Sequence, residues 1–391
     1  MDHYDVIVVG AGVHGAGVAQ AVSAAGYSVC VLEKHSVGSG TSSKSSKLIH
    51  GGLRYLESYQ FSLVKKSLKE RAVLCRLAPD LVSLQPFYIP IYKQTFRRPW
   101  KIRLGLSLYA LLGNMHKNNL FKRLSKNRLT TNDGLKRESL QKIYRYYDGQ
   151  TNDKKLTEAV MASAIQFGAK LVEHSDITSI TKNNETFIVK YKNDGGEKTI
   201  SSKVVVNAAG PWVNEINNSI NIKTKLLDVD LVQGTHIIVD AEPPSGIYYL
   251  EAKDKRAIFV MPYEFNSRKR TMIGTTEKIF EGNANDVKAT NEEVDYLLNV
   301  YLSYFPKTKN IKILSKFAGL RVLPKNNGSL FSRPRDTVLH WAATGLLSLY
   351  GGKLTAYRST SDLVLKKIKP LLGKKRRITF TDQLFLSYIN E

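Results

Sequence analysis

Two cysteines, Cys30 and Cys75, are all that 391 residues contain. A disulfide scaffold or a multi-thiolate metal centre is therefore excluded, and a reducing compartment is expected. No group of His, Cys, Asp and Glu has metal-ligand spacing, so no metal is expected. No run of about 20 uninterrupted apolar residues occurs, so no transmembrane helix is expected. The opening residues Met1-Asp2-His3-Tyr4-Asp5 place no cationic leader before the apolar run, so no signal peptide is expected. A Walker loop, a GxSxG elbow and a catalytic-cysteine setting are missing too. Acids are scarce: 34 Asp and Glu face 58 Lys and Arg, a formal net charge of +24. Such an excess points to an anionic partner: nucleic acid, lipid or a phosphorylated small molecule. With 42% hydrophobic and 24% charged residues the chain is globular in composition, and its length suggests two or three folding units.

The first 34 residues carry a nucleotide-binding pattern. Asp5 to Val9 is a β-branched run suited to a buried parallel strand. Gly10-Ala11-Gly12-Val13-His14-Gly15 follows, then a helical spacing of Val18, Ala19 and Val22, with Gly26 as C-cap. Gly10 permits the tight turn, Gly12 lets backbone approach a pyrophosphate, and Gly15 lets helix meet strand. A second strand, Val29 to Leu32, ends at Glu33, where an acid can accept hydrogen bonds from an adenosine ribose. That acid argues against a 2′-phosphate. The motif alone does not separate NAD from FAD.

After Glu33 the chain enters a loop of small and hydroxyl residues from Gly38 to Ser46, then Lys47-Leu48-Ile49-His50-Gly51-Gly52-Leu53-Arg54-Tyr55-Leu56-Glu57. The segment Ser45 to Glu57 resembles the signature of FAD-dependent glycerol-3-phosphate dehydrogenases and oxidases. Four further segments resemble that family in the same order: Tyr147-Asp148 with Asp153-Lys154-Lys155-Leu156, Val204 to Trp212, Gly234 to Val239, and Gly351 to Arg358. Lys155 stands where an arginine is usual. The resemblance implies an α/β fold: a Rossmann-like FAD-binding domain with an interleaved antiparallel β-sheet substrate-binding (cap) domain. The flavin part is expected in residues 1–85, 147–225 and 338–391, and the cap in 86–146 and 226–337. It implies FAD contacts at Gly10, Gly12, Gly15, Glu33, Thr41, Ser42, Ser46, Leu48, Ala209, Gly210, Gly352, Leu354 and Thr355.

The implied activity is oxidation of sn-glycerol 3-phosphate to dihydroxyacetone phosphate by hydride transfer to flavin N5, with electrons passed to quinone or another acceptor. Oxidising a secondary alcohol needs a group that takes the hydroxyl proton and a fixed substrate. A phosphate dianion is suited to guanidinium clamps. The resemblance points to Arg54, Arg321, Arg335 and Lys353 as cationic contacts, with Tyr55 and Thr235 nearby. His236 is expected to be the general base, with His50 the competitor. The alternatives are a flavoenzyme acting on a 2-hydroxy acid or amino acid, its arginines binding carboxylate, and a catalytically silent flavoprotein.

Half of the charge excess is concentrated. Between Lys93 and Arg145 there are 14 basic residues against two acids, Asp133 and Glu138, a local net of +12. Within the block lies the uncharged run Leu104 to Met115, which suits insertion at an anionic interface. A second basic cluster, Lys374 to Arg377, precedes Leu384, Phe385, Leu386 and Ile389. An anionic membrane surface is therefore the expected macromolecular partner, on the inner face of the cytoplasmic membrane. Nucleic acid is not, because aromatics do not interleave with the charge. The chain stops soon after Arg358, so the additional helical C-terminal domain of typical bacterial family members is expected to be missing.

Overall fold

The computed structural model describes residues 1–125, 134–308, 311–325 and 336–387. Its strands are β1 (Asp2–Val9), β2 (Val29–Leu32), β3 (Leu48–Ile49), β4 (Val82–Tyr92), β5 (Lys122–Leu124), β6 (Leu140–Thr151), β7 (Lys170–Val172), β8 (Asp176–Asn183) and β9 (Thr186–Asn193). They continue with β10 (Gly196–Asn207), β11 (Val229–Val239), β12 (Ile247–Glu251), β13 (Ala257–Phe265), β14 (Arg268–Gly274), β15 (Lys278–Phe280), β16 (Ile313–Pro324), β17 (Val338–Ala343) and β18 (Leu346–Tyr350). The helices are α1 (Val13–Ala24), α2 (Phe61–Leu77), α3 (Pro99–Leu112), α4 (Asp153–Gln166), α5 (Val213–Asn218), α6 (Asn291–Tyr304) and α7 (Tyr357–Ile368).

The first sheet runs β17-β18-β10-β1-β2-β7, parallel from β18 to β7, with the β8–β9 hairpin continuing from β10. Its central strands are apolar without alternation because both faces are covered, and Val6 to Val8 have no solvent exposure. Helices α1, α4 and α7 cover one face. Helix α1 is buried nearly all round and therefore lacks a polar face. A Cβ on its Gly17 would meet Ser361 Oγ at 2.5 Å and Tyr357 at 2.8 Å, so glycine sets how closely α1 and α7 approach.

The second sheet runs β15-β11-β14-β13-β12-β4-β6-β3, with β16 also paired to β11. Antiparallel pairing dominates; β12 and β4 are parallel. Helix α6 packs on one side of it and α3 on the other. The strands overrun the boundaries expected at 86 and 146. The β4–β6 ladder extends from Val82↔Thr151 to Tyr92↔Leu140, and β3 adds to β6. A ladder persists while each backbone group finds a partner, which a motif-based boundary does not register.

The apolar run at 104–115 divides between both sides of its helix. Ile102, Leu106, Tyr109 and Ala110 of α3 are buried in the cap. Trp100, Leu104 and Leu111 are exposed, and their spacing places them on one face. No helix among the described residues is long and apolar enough to cross a membrane.

Candidate active site

A cavity of ≈ 540 Å³ lies between the two sheets, within the range of small-molecule and cofactor sites. At one end the β1–α1 turn forms its wall. Gly10 has φ +95°, and a Cβ on Gly15 would stand 1.8 Å from the Gly10 carbonyl oxygen. Gly12 is the N-cap of α1, and Ser42 Oγ accepts a hydrogen bond from Val13 N–H at 2.9 Å. Glu33, at the end of β2, accepts one from Ala11 N–H at 2.6 Å. The loop that contributes Thr41, Ser42 and Ser46 is tied down from below. Asp153, at the start of α4, accepts from Ser45 N–H at 2.9 Å and Ser45 Oγ at 2.7 Å, and pairs with the buried Lys47 Nζ at 2.5 Å.

Further along, β18 runs into Gly351 (φ +71°) and Gly352 (φ +121°). Both conformations favour glycine, and they turn the chain so that Lys353, Leu354 and Thr355 line the cavity. Thr355 Oγ1 accepts a hydrogen bond from His50 N–H at 3.1 Å, which fixes the His50 loop to this turn. Burial lowers the pKa of His50 from 6.5 to about 4, with Lys353, Arg54 and Arg71 pushing the same way against Asp148. Its imidazole is therefore neutral near pH 7. Below it Gly51 N–H donates to Tyr109 Oη at 2.9 Å, and Tyr109 donates to Asp148 at 2.6 Å.

Cations gather at the end nearest the second sheet. Lys353 Nζ sits 3.6 Å from the centre of the Tyr55 ring. Arg54, in the 3₁₀ turn Leu53–Ser58, and Arg321, on β16, both line the cavity. Glu277 lies between them: Arg54 Nη2 and Arg321 Nη1 are each 3.7 Å from its carboxylate. Arg321 Nη2 also donates to Thr275 Oγ1 at 3.3 Å.

These features sit on a fold that other proteins share. The family model for FAD dependent oxidoreductases matches residues 5–358. The chain belongs to that family. It is 36% identical over 373 residues to D-erythritol 1-phosphate dehydrogenase of Brucella abortus, covering 93% of this chain and 73% of that one. It is 34% identical over 381 residues to the aerobic glycerol-3-phosphate dehydrogenase of Escherichia coli, covering 95% and 74%. Among solved structures, the glycerol-3-phosphate dehydrogenase from Bacillus halodurans complexed with FAD aligns with a TM-score of 0.74 at 25% identity, covering 98% of this chain and 68% of that one. Glycine oxidase from Geobacillus kaustophilus aligns with a TM-score of 0.73 at 20% identity over 100% of both chains, which shows the shared fold alone.

As in other FAD-dependent oxidoreductases, FAD is the cofactor, and the cavity fits it. The Gly10–Gly15 turn leaves backbone accessible where a pyrophosphate needs it. His14, inside that turn, has both ring nitrogens buried and without a hydrogen-bond partner among the described residues. Burial also lowers its pKa to about 4, so the ring is neutral near pH 7. Motif reasoning passed over His14 because it stands at a variable position of the glycine pattern. Glu277 was missed for a similar reason: only the end of a strand precedes Gly274-Thr275-Thr276-Glu277.

Every cofactor position expected from sequence lines the cavity except Gly15, which lies beneath the turn. His50, Arg54, Tyr55, Arg321 and Lys353 line it as well. Arg335 lies outside the described residues. His236 and Thr235 are not among the lining residues. His236, on β11, is buried behind the wall: Ser46 Oγ lies 3.0 Å from its Nε2, and Phe317 of the paired β16 stacks on it at 5.0 Å. Burial, Arg321 and Lys47 hold its pKa well below 6.5. The ring has the right protonation state for a base, but Ser46 and Phe317 stand over it. Thr235 faces the other side of β11, as period-2 alternation requires. It is fully buried, and its N–H donates to Thr276 Oγ1 at 2.8 Å.

Proposed function

We propose that this enzyme oxidises the secondary alcohol of a phosphorylated polyol of the glycerol 3-phosphate class, giving dihydroxyacetone phosphate from glycerol 3-phosphate itself. The observation that carries this reading is the pair Arg54 and Arg321 on the same cavity as the neutral His50. Bound FAD supplies the hydride acceptor. Arg54 and Arg321 hold the phosphate, and Lys353 adds a third positive charge on that side. His50 takes the hydroxyl proton as the carbinol hydrogen leaves as hydride, so that a ketone forms. Ser46 and His236 act as one unit that fixes the loop over the cofactor. The relatives named for glycerol 3-phosphate and D-erythritol 1-phosphate support a phosphorylated polyol, since both names share that chemistry.

The reading extends to where the electrons go. Quinone at an anionic membrane is the acceptor that suits the exposed face of α3, where Trp100, Leu104 and Leu111 are flanked by Arg98, Lys101 and Arg103. The enzyme then works on the inner face of the cytoplasmic membrane.

The test is anaerobic mixing of the holoenzyme with glycerol 3-phosphate, D-erythritol 1-phosphate, glycerol, lactate and glycine while flavin absorbance is followed. Bleaching by the two phosphates is expected. Bleaching by lactate or glycine, with the phosphates inert, would return the arginines to carboxylate recognition.

A further inference from the structure

The carboxylate between the two arginines comes from neither of the elements that carry them. Arg54 belongs to a 3₁₀ turn that follows the cofactor loop, Arg321 to β16, and Glu277 to the connection between β14 and β15. Glu277 is held there by its neighbours. Thr276 Oγ1 donates to Glu293 Oε1 at 2.6 Å and accepts from Thr235 N–H at 2.8 Å. Glu293 is itself fixed, since it forms the capping box of α6 with Thr290. The Thr276 hydroxyl is thus tied to α6, and Thr275, Thr276 and Glu277 all line the cavity. The Glu277 side chain is only 5% exposed, against 25% for Arg54 and 33% for Arg321. Its carbonyl oxygen also accepts from Arg256 Nη1 at 3.2 Å.

We propose that Glu277 is a positioning residue for anion recognition, setting the spacing of Arg54 and Arg321 before substrate arrives. Two guanidinium groups facing one pocket repel each other, and each is carried on a long side chain with large rotamer freedom. A buried carboxylate in contact with both removes the repulsion and orders both. The ordering cost is then met during folding rather than at binding. At 3.7 Å from the carboxylate, Arg54 Nη2 and Arg321 Nη1 are in ion-pair contact with it from two sides, so one group fixes the separation of both. The carboxylate offsets part of the guanidinium charge without removing the positive character of this end of the cavity, where Lys353 also lies. This inference rests on the phosphorylated-polyol reading and names how that site is prepared for its anion.

The test compares wild-type and Glu277→Gln holoenzymes, with glycerol 3-phosphate and glycerol as substrates and inorganic phosphate as competitive inhibitor. Gln keeps the shape and loses the charge. The KM for glycerol 3-phosphate and the inhibition constant for phosphate should each rise about tenfold. The kcat, the FAD content and the KM for glycerol should stay within about threefold. Phosphate binding that is unchanged or tighter in the variant overturns the proposal, because net charge rather than arginine placement would then govern the site. Equal increases in KM for glycerol and glycerol 3-phosphate overturn it too. A Glu277→Gln chain that fails to fold is replaced by Glu277→Met, judged by the same phosphate inhibition constant. If the wild-type flavin is not reduced by any phosphorylated polyol, the substrate reading itself fails. An active wild type with an indifferent variant defeats only the role of Glu277.

Discussion

The backbone N–H of His50 donates to Thr355 Oγ1 at 3.1 Å across 305 residues of sequence. That bond joins the loop carrying His50, the proposed proton acceptor, to the glycine turn from β18. Hydride and proton leave the substrate at adjacent atoms, so the groups that receive them must be held at one spacing.

His50 is expected to set the rate of flavin reduction. His50→Asn should slow it by about 100-fold or more with FAD still bound. His236→Asn should instead loosen the Ser46 loop, seen as weaker FAD binding and a lower Tm, with reduction within about tenfold of wild type. Anaerobic stopped-flow and flavin fluorescence separate the two. The reverse pattern would restore His236 as base.

Arg321→Ala should raise the KM for glycerol 3-phosphate on the order of 100-fold, since a hydrogen-bonded charge pair is lost, and leave that for glycerol nearly unchanged. An equal response to the two alcohols would remove Arg321 from phosphate recognition.

Gly15→Ala should yield apoprotein. The added methyl would stand 1.8 Å from the Gly10 carbonyl oxygen, so the turn must move. Overpacking of this kind costs about 1–3 kcal/mol and displaces the backbone that meets the pyrophosphate. Purification of a yellow variant with the wild-type Tm would contradict the close approach of helix and turn.

Acid should destabilise the protein in a defined window. His14 and His50 have pKa values lowered to about 4, and that of His236 is held well below 6.5, all chiefly by burial. The unfolded chain protonates them near 6.5, so it binds more protons than the native state below that pH. The stability they contribute is full above pH 6.5 and is lost as pH falls towards 4 and below. Each contributes a slope of about 1.4 kcal/mol per pH unit in that window. Denaturant midpoints between pH 4.5 and 7.5 would check this, and a flat profile would count against it.

Binding to anionic vesicles should require the outer face of α3. The wild type should sediment with them at low salt and be released at high salt. Replacing Trp100, Leu104 and Leu111 together with Ser should abolish binding, since burial of each large apolar side chain contributes about 1.5–3 kcal/mol. Retention by the triple variant would move the contact elsewhere.

By itself, the sequence determined the parts of this protein that depend on local geometry. Gly10, Gly12 and Gly15 are legible because a strand–turn–helix around a pyrophosphate needs glycine at those places and nowhere else nearby. Gly351 and Gly352 are legible for the same reason, and so is the family to which the motifs belong. The resemblance also reached Arg54 and Arg321. Tertiary structure decided what faces what. His50 and His236 both sit in matching motifs, and only the packing of Ser46 and Phe317 over one of them separates a cavity residue from a wall residue. Glu277 has no motif of its own. Its position between Arg54 and Arg321 arises where three distant segments meet, and pairing across such distances is fixed by the fold rather than by any local pattern. The apolar run beside the basic block divides in the same way, because the cap decided which side of α3 it would bury.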